Sequence, residues 1–428
     1  MKRSILPFLL AFFGVAAITQ GQTMLIQSPN ASPKASVEQT IGLTDIRIDY
    51  HRPAVNNREI WGQLVPYGTP WRAGANENTS IHFSTDVRIN GADLSAGTYG
   101  LHIIPSEKES IIIFSKNYTS WGSYSYQESE DALRVPVKSE ATDAFQEYLI
   151  FTFGKFTANS AVCALEWEHK KFPFTIEVDV HEVVLASIRE DLRNKAGWTW
   201  QGFQEAANYC LQNEVNLQEG LGWAQRSVFM NPNSGNMITK ARLTALSEGL
   251  EGDAAIDRQM AVLQTDLSSM PVTWKEYHGL ANYAKRNHKL DQAMAWTDKS
   301  ISMSPTMTNM MAKRDLLNEQ GETKKADKVE ADAISKGTNA ELNNYGYALM
   351  LSGKTAEAVK IFEANTVKYP TDPNVWDSLG EGYINNGQND KAIQALRKSL
   401  SLNPGANIKA NSLRLLSQLG VSAAEINP

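Results

Sequence analysis

Three arginines, Arg52, Arg58 and Arg72, share a short stretch of chain with Trp61, Tyr67, Trp71, Asn76 and Glu77. Guanidinium forks take carboxylate or phosphate groups, and aromatic rings supply a stacking wall, so this set suits an anion carried on a flat group. Tryptophan beside paired polar groups also suits a sugar. The plainer reading pairs Glu77 and Asp49 with the arginines and lets the tryptophans fill space between sheet and loop. Arg52, Arg58, Trp61, Trp71, Arg72, Asn76 and Glu77 are therefore the ligand-binding candidates.

Other chemistries find less support. His51, His82 and His102 have no His-x-His or His-x-x-x-His spacing, and His82 and His102 interrupt apolar runs at the alternate face. Solvated strand faces are expected for them, and no metal site. Asp49, Glu77 and Asp86 have no spacing that selects them as paired carboxylates. The sequence carries no nucleophile elbow, phosphate-cradling glycine loop or zincin motif. No catalytic residue is assigned and no cofactor is implied.

The elements around these residues read as strands. Residues 46–50, 80–84, 87–89, 98–104, 110–115, 148–153, 161–167 and 174–180 alternate or run apolar in strand-length pieces. Turn pairs such as Asn90-Gly91 and Ala96-Gly97 separate them. Some eight short strands at this spacing predict an antiparallel β-sandwich. The Arg/Trp stretch from Arg52 to Glu77 falls between two of them, in a long segment that no propensity argument explains.

That segment carries Tyr50-His-Arg-Pro, Arg58-Glu-Ile-Trp-Gly, Leu64-Val-Pro-Tyr-Gly and Trp71-Arg-Ala-Gly-Ala-Asn-Glu. Phe83-Ser, Ala96-Gly-Thr-Tyr and Ile104-Pro105 follow. With these motifs the region resembles the domain-of-unknown-function family 2911, whose members occur in exported proteins common in Bacteroidetes-type bacteria. The resemblance implies an exported β-domain and brings no catalytic assignment.

The C-terminal half is read from its period. Trp376, Leu379, Gly380 and Tyr383, then Gly387, Ala392, Leu396 and Pro404, follow the tetratricopeptide spacing. Leu342, Tyr345, Gly346, Leu349, Gly353, Ala358, Phe362 and Pro370 form a second set 34 residues earlier. Small residues sit where paired helices cross, and they can be traced back through Gly220, Ala254, Ala293, Ala326, Ala358 and Ala392. That predicts about six units, with an extended loop near Ser268 and Ser269 where the spacing stretches. Met310, Met311 and Arg314 spoil the pattern in one first helix. The half resembles tetratricopeptide repeat proteins, which implies a superhelix whose inner groove takes up a protein or peptide. Projected onto this chain, the groove positions are Lys275, His278, Asn282, Lys285, Asn343, Tyr347, Asp377 and Glu381, running from basic to acidic. The Lys/Asn set of the carboxylate-clamp subfamily is missing from them, and the plain alternative is a solvated helix face. The methionines from Met303 to Met311 read as core filler more readily than as an adaptable binding surface.

Composition bounds the whole. Hydrophobic residues make up 42% and charged residues 21%, with a net charge of −6, so no basic field invites nucleic acid as a partner. Lys2 and Arg3 precede an apolar run over residues 5–18, the layout of a secretory signal. The run is shorter than the ~20 residues a membrane span requires, and no cysteine ends it to carry a lipid anchor. Cys163 and Cys210 fall in different halves and are expected to be separate buried thiols. The expected layout is a signal peptide at 1–21, a β-sandwich domain at 30–180, a helical linker at 181–197, about six repeats at 198–404 and a capping helix at 405–420. The mature chain would be periplasmic or secreted, with no transmembrane segment. Its expected role is a scaffold, the repeats holding a protein or peptide and the β-domain a small ligand or second partner. The alternative is an envelope hydrolase of saccharides or peptides with its site between Arg52 and Glu77.

Overall fold

A computed structural model describes residues 29–422; the segment expected to be an export signal, at 1–21, lies outside them. The chain divides into two compact units between Ser187 and Ile188.

In the first unit, alternation sorts side chains between core and solvent. Its strands are β1 (Lys34–Ile41), β2 (Thr44–His51), β3 (Ser80–Phe83), β4 (Val87–Ile89) and β5 (Ala92–Leu94), then β6 (Gly97–Ile104), β7 (Ser110–Ser115), β8 (Asp131–Val137), β9 (Glu140–Gly154) and β10 (Ser160–Glu177). Along β2, Ile46, Ile48 and Tyr50 turn inward while Arg47 and Asp49 stay on the outer side. The strands pair antiparallel in two sheets, of order β1-β2-β3-β6-β7-β8 and β5-β4-β10-β9. Ile48, Phe83, Leu101 and Phe114 of the first sheet share one buried core with Leu149, Phe151, Leu165 and Trp167 of the second. The fold is an antiparallel sandwich.

Three strands escape the sequence pattern. β1 is half solvated along its length, β5 has three residues, and β8 contains Pro136, which an edge strand tolerates because no neighbour needs its missing N–H. Conversely, the stretches read as separate strands at 161–167 and 174–180 fall in the one long β10 as far as Glu177, and Val180 already starts a helix. Glu168 adopts φ +56° within β10, and the register shifts on both sides of it, so a bulge carries the strand through.

The helix α1 (Val180–Arg193) contains the division between the units. Twelve helices follow in pairs: α2 (Trp200–Asn213) with α3 (Leu217–Met230), α4 (Ser234–Ser247) with α5 (Gly252–Ser269), α6 (Trp274–Arg286) with α7 (Leu290–Met303). Then come α8 (Met307–Glu319) with α9 (Thr323–Lys336), α10 (Asn339–Leu351) with α11 (Thr355–Lys368), and α12 (Pro373–Asn385) with α13 (Asn389–Ser401). The helix α14 (Ala406–Gln418) ends the array. A β-carbon on Gly346 would lie 2.4 Å from Phe362, and one on Gly380 would lie 2.6 Å from Leu396, so the helices of each pair meet where only glycine fits. The result is a tetratricopeptide-type helical solenoid.

Two readings of the repeats change. The small residue at the α5 crossing is Ala255, which is buried, whereas Ala254 is exposed. No loop opens near Ser268; the extra residues lengthen α5 to 18 residues, and Met270 ends it in extended backbone. Met307, Met310 and Met311 are buried in the core of the later repeats, while Met303 is exposed. Cys163 and Cys210 are free and buried. Among the described residues, no helix is long and apolar enough to cross a membrane.

Candidate functional site

The Arg/Trp stretch closes one side of the sandwich by pairing with both sheets. Ala54 bridges Tyr148 of β9, with Val55 N–H donating to Glu147 O at 2.8 Å. Trp71 bridges Ile103 of β6 through two backbone bonds of 2.9 and 2.8 Å, beyond the point where β3 stops pairing. Between these anchor points Trp61 lies edge-on to Trp71 and Trp167, and Trp71 stacks on Trp167 with centroids 5.8 Å apart. The Trp71-Arg-Ala-Gly-Ala-Asn-Glu motif has a backbone reason. Buried Ala73 and half-buried Asn76 take left-handed φ of +50° and +57°, and a β-carbon on Gly74 would lie 2.6 Å from Thr79 Oγ1.

The three arginines do not converge. Arg52 Nε donates to Leu149 O at 2.9 Å, with the guanidinium over the Tyr148 ring. Arg58 donates to Val55 O at 3.0 Å and Ala54 O at 2.5 Å. Among the described residues neither has a carboxylate partner; Arg52 donates to a carbonyl of β9 and Arg58 to carbonyls of the irregular segment itself. Asp49 pairs with Arg47 at 2.8 Å, Glu77 with His51 at 3.2 Å, and Asn76 donates to Ser32 O at 3.2 Å. Arg72 goes elsewhere, over the Trp121 ring at 5.7 Å.

The histidines need correcting. His82 is exposed, but His51 and His102 are buried. His102 points to the outer side of β6, yet residues 116–127 cover it, and its Nδ1 shares a 2.9 Å hydrogen bond with Ser123 Oγ. Burial, and then the nearby Arg72 charge, push its pKa down to about 4, so the ring is neutral at neutral pH. That covering loop was not among the sequence candidates. Its signal was compositional, a run of Tyr, Ser, Thr, Asn, Gly and Trp with no charge from Asn117 to Gln127.

In the solenoid, first helices line a cleft of about 440 Å³ over α6, α8 and α10. His278, Asn282 and Lys285 enter it from α6, Met311 and Leu316 from α8, and Asn344 from α10. Burial lowers the pKa of His278, whose Nε2 meets Asn282 Nδ2 at 3.1 Å. Lys285 reaches Glu319 at 3.3 Å. The acidic groups at the rim are already engaged: Glu341 accepts from Thr338 and from Met307 N–H, and Asp315 pairs with Arg314 at 2.8 Å.

The other projected groove residues are less available. Lys275 is exposed at the start of α6, and Asn343 is half-buried with a partnerless buried Oδ1. Tyr347 donates to Glu381 at 3.0 Å. Asp377 is buried and accepts from Asn411 at 2.8 Å and from Ser412, both on α14. It fastens the capping helix, so the expected basic-to-acidic run loses its acidic anchor.

The profile of a family described as "Protein of unknown function (DUF2911)" matches residues 32–176. The N-terminal domain resembles DUF2911. A tetratricopeptide repeat profile matches residues 373–406, and the helical half resembles proteins of that kind. No curated protein matches the chain. Among solved structures, the "APC/C hetero-tetramer Cut9-Hcn1" is 15% identical, with 55% of this chain and 45% of that chain covered and a TM-score of 0.24. This chain thus spans less than half the length of that one. "YrrB: a TPR protein with an unusual peptide-binding site" is 11% identical over 53% of this chain and 97% of that chain, TM-score 0.21. A tetratricopeptide repeat protein from Parabacteroides merdae is 12% identical over 53% and 87%, TM-score 0.23. Beside the DUF2911-like domain, the stacked helix pairs have the architecture of a protein-interaction scaffold.

Proposed function

We propose that this chain is an exported scaffold whose repeats hold a protein or peptide segment while its DUF2911-like domain takes a small ligand or second partner. The observation that carries the first part is the cleft over α6, α8 and α10. Met311 and Leu316 give it an apolar floor, and Asn282, Lys285 and Asn344 offer polar contacts above that floor. Asp315 is matched by Arg314 and Glu341 is held by N–H groups, while Lys285, which also meets Glu319 at 3.3 Å, and exposed Lys275 at the start of α6 bring positive charge to this side. An apolar segment with flanking acidic residues fits that pattern. Export is supported by the sequence at 1–21 alone.

The test is selection from a displayed peptide library with the full chain and with a Lys275→Glu/Lys285→Glu variant. Peptides carrying apolar anchors beside Asp or Glu are expected to be enriched, and to bind the variant at least tenfold more weakly. Enrichment of the same peptides by both proteins removes the cleft as the recognition site.

A further inference from the structure

Six arginines are described in the β-sandwich unit, and five have acceptors. Arg47 pairs with Glu38 and Asp49, Arg88 with Glu177, Arg134 with Asp131, and Arg52 and Arg58 hold carbonyls. Among the described residues Arg72 has neither an ion pair nor a hydrogen bond, and its Nε is buried without a partner. A half-buried guanidinium normally has its charge and donors met, and leaving them unmet costs free energy. An anion is the partner that would meet both its charge and its donors.

The surface around it is unusual for the same domain. Trp121 and Tyr124 are 64% and 84% exposed, and their rings lie nearly parallel, 13° apart with centroids at 5.9 Å. Arg72 sits over the Trp121 ring, and a β-carbon on Gly122 would lie 2.5 Å from its Nη1, so the loop rests directly on the guanidinium. The loop is also braced. Ser120 donates to Asn117 Oδ1 at 2.7 Å, Asn117 Nδ2 to Glu130 at 3.2 Å, and Ser123 meets His102 at 2.9 Å. Rigid Tyr and Trp rings interleaved with Ser, Gly and Asn are the composition of adaptable recognition surfaces.

The charge narrows the ligand. Burial keeps His102 neutral, and Arg134 is spent on Asp131 and the Tyr126 hydroxyl. Of these three groups Arg72 alone has an unmatched positive charge, which matches a single carboxylate better than a phosphate dianion. Exposed aromatic faces beside serine and tyrosine hydroxyls match a pyranose ring, whose C–H face stacks and whose hydroxyls need partners.

We propose that Arg72, Trp121 and Tyr124 form a binding site for an acidic sugar, with the carboxylate on the guanidinium and the ring face on the indole. This rests on reading the DUF2911-like domain as a ligand-binding module and is independent of the repeat cleft.

The test titrates the full chain by calorimetry with trigalacturonate, with its methyl ester and with adenosine monophosphate. Trigalacturonate is expected to bind at least tenfold more tightly than the ester, which keeps the rings and removes the charge. Trp121→Ala, a change at an exposed ring that leaves folding intact, is expected to weaken binding at least tenfold. Arg72→Gln is expected to bring acid and ester to equal affinity. Equal binding of acid and ester by the unmodified chain, or unchanged binding in the Trp121 variant, overturns the inference. If adenosine monophosphate alone binds, and does so through Trp121, the acidic sugar is wrong while the ligand-binding reading stands. Binding of none of the three overturns both.

Discussion

Asn309 Nδ2 donates to the buried hydroxyl of Ser300 at 3.0 Å, and that hydroxyl donates in turn to Trp274 O at 2.8 Å. A short polar chain thus links the starts of α6 and α8 through α7. The same carboxamide donates to Ser304 O at 2.8 Å and accepts from Thr306 N–H at 2.9 Å, capping α8. Asn236 and Ser227 repeat the arrangement at 3.1 Å, with Ser227 donating to Trp200 O. Residues 220–232 and 293–305, which are similar in sequence, therefore share a junction as well as a helix.

Asn309→Ala removes two donors and a cap acceptor from a buried site, so it is expected to cost about 1–3 kcal/mol. Urea unfolding followed by helical circular dichroism measures it, with Asn344→Ala as an exposed control. Asn309→Asp is expected to be no better, because a carboxylate keeps the cap but faces the Ser304 carbonyl without a proton. Equal midpoints for Asn309→Ala and the control would show that the junction adds no stability.

His102 gives the β-sandwich a pH dependence of defined sign. Its folded pKa of about 4 lies below the ordinary value of 6.5, so the unfolded chain takes up the proton first. Its contribution is fully present above about pH 6.5 and is lost as pH falls towards 4, by about 3 kcal/mol at most. Denaturation monitored by tryptophan fluorescence between pH 7.5 and 4.5 tests this, comparing the unmodified chain with His102→Gln. The variant is expected to have the shallower loss of stability on acidification. Parallel curves would mean that His102 is protonated as easily folded as unfolded.

Legibility followed periodicity. The 34-residue repeat announced the helix pairs because the same small and bulky residues recur at each crossing, as Gly346 against Phe362 and Gly380 against Leu396 show. Strands with an alternating inner face, such as β2, were equally plain. β1 and β8 were not, since edge strands carry charge and proline that dilute alternation. The arginines of the Arg/Trp stretch were visible as residue types, but their partners were not. Arg52 and Arg58 bond to carbonyls of residues such as Leu149 and Ala54, and backbone acceptors have no signature in side-chain spelling. Trp121 and Tyr124 lie far along the chain from Arg72, so only the fold places them beside it.

The aromatic rings around the Arg/Trp stretch divide into a structural and an exposed set, and Trp167 tests the division. Its ring is 1% exposed, stacks on Trp71 and meets Trp61 edge-on at 6.0 Å, and its Nε1 donates to Glu147 O at 3.3 Å. Glu147 O is also the acceptor for Val55 N–H, so the indole supports the place where the irregular segment joins β9. Trp167→Ala opens a cavity beneath Trp61 and Trp71 and is expected to cost about 3–5 kcal/mol. Because the segment is held by ladder bonds at Ala54 and Trp71 and packs on Trp167 between them, its middle should loosen first. Limited proteolysis of the variant is expected to cut within residues 56–70 before any other part of the β-sandwich. Trp121→Ala, which removes an exposed ring, is expected to leave both the stability and the cleavage pattern unchanged. A Trp167 variant cut no faster than the unmodified chain would mean that backbone pairing alone holds the segment and that the tryptophan cluster has another use.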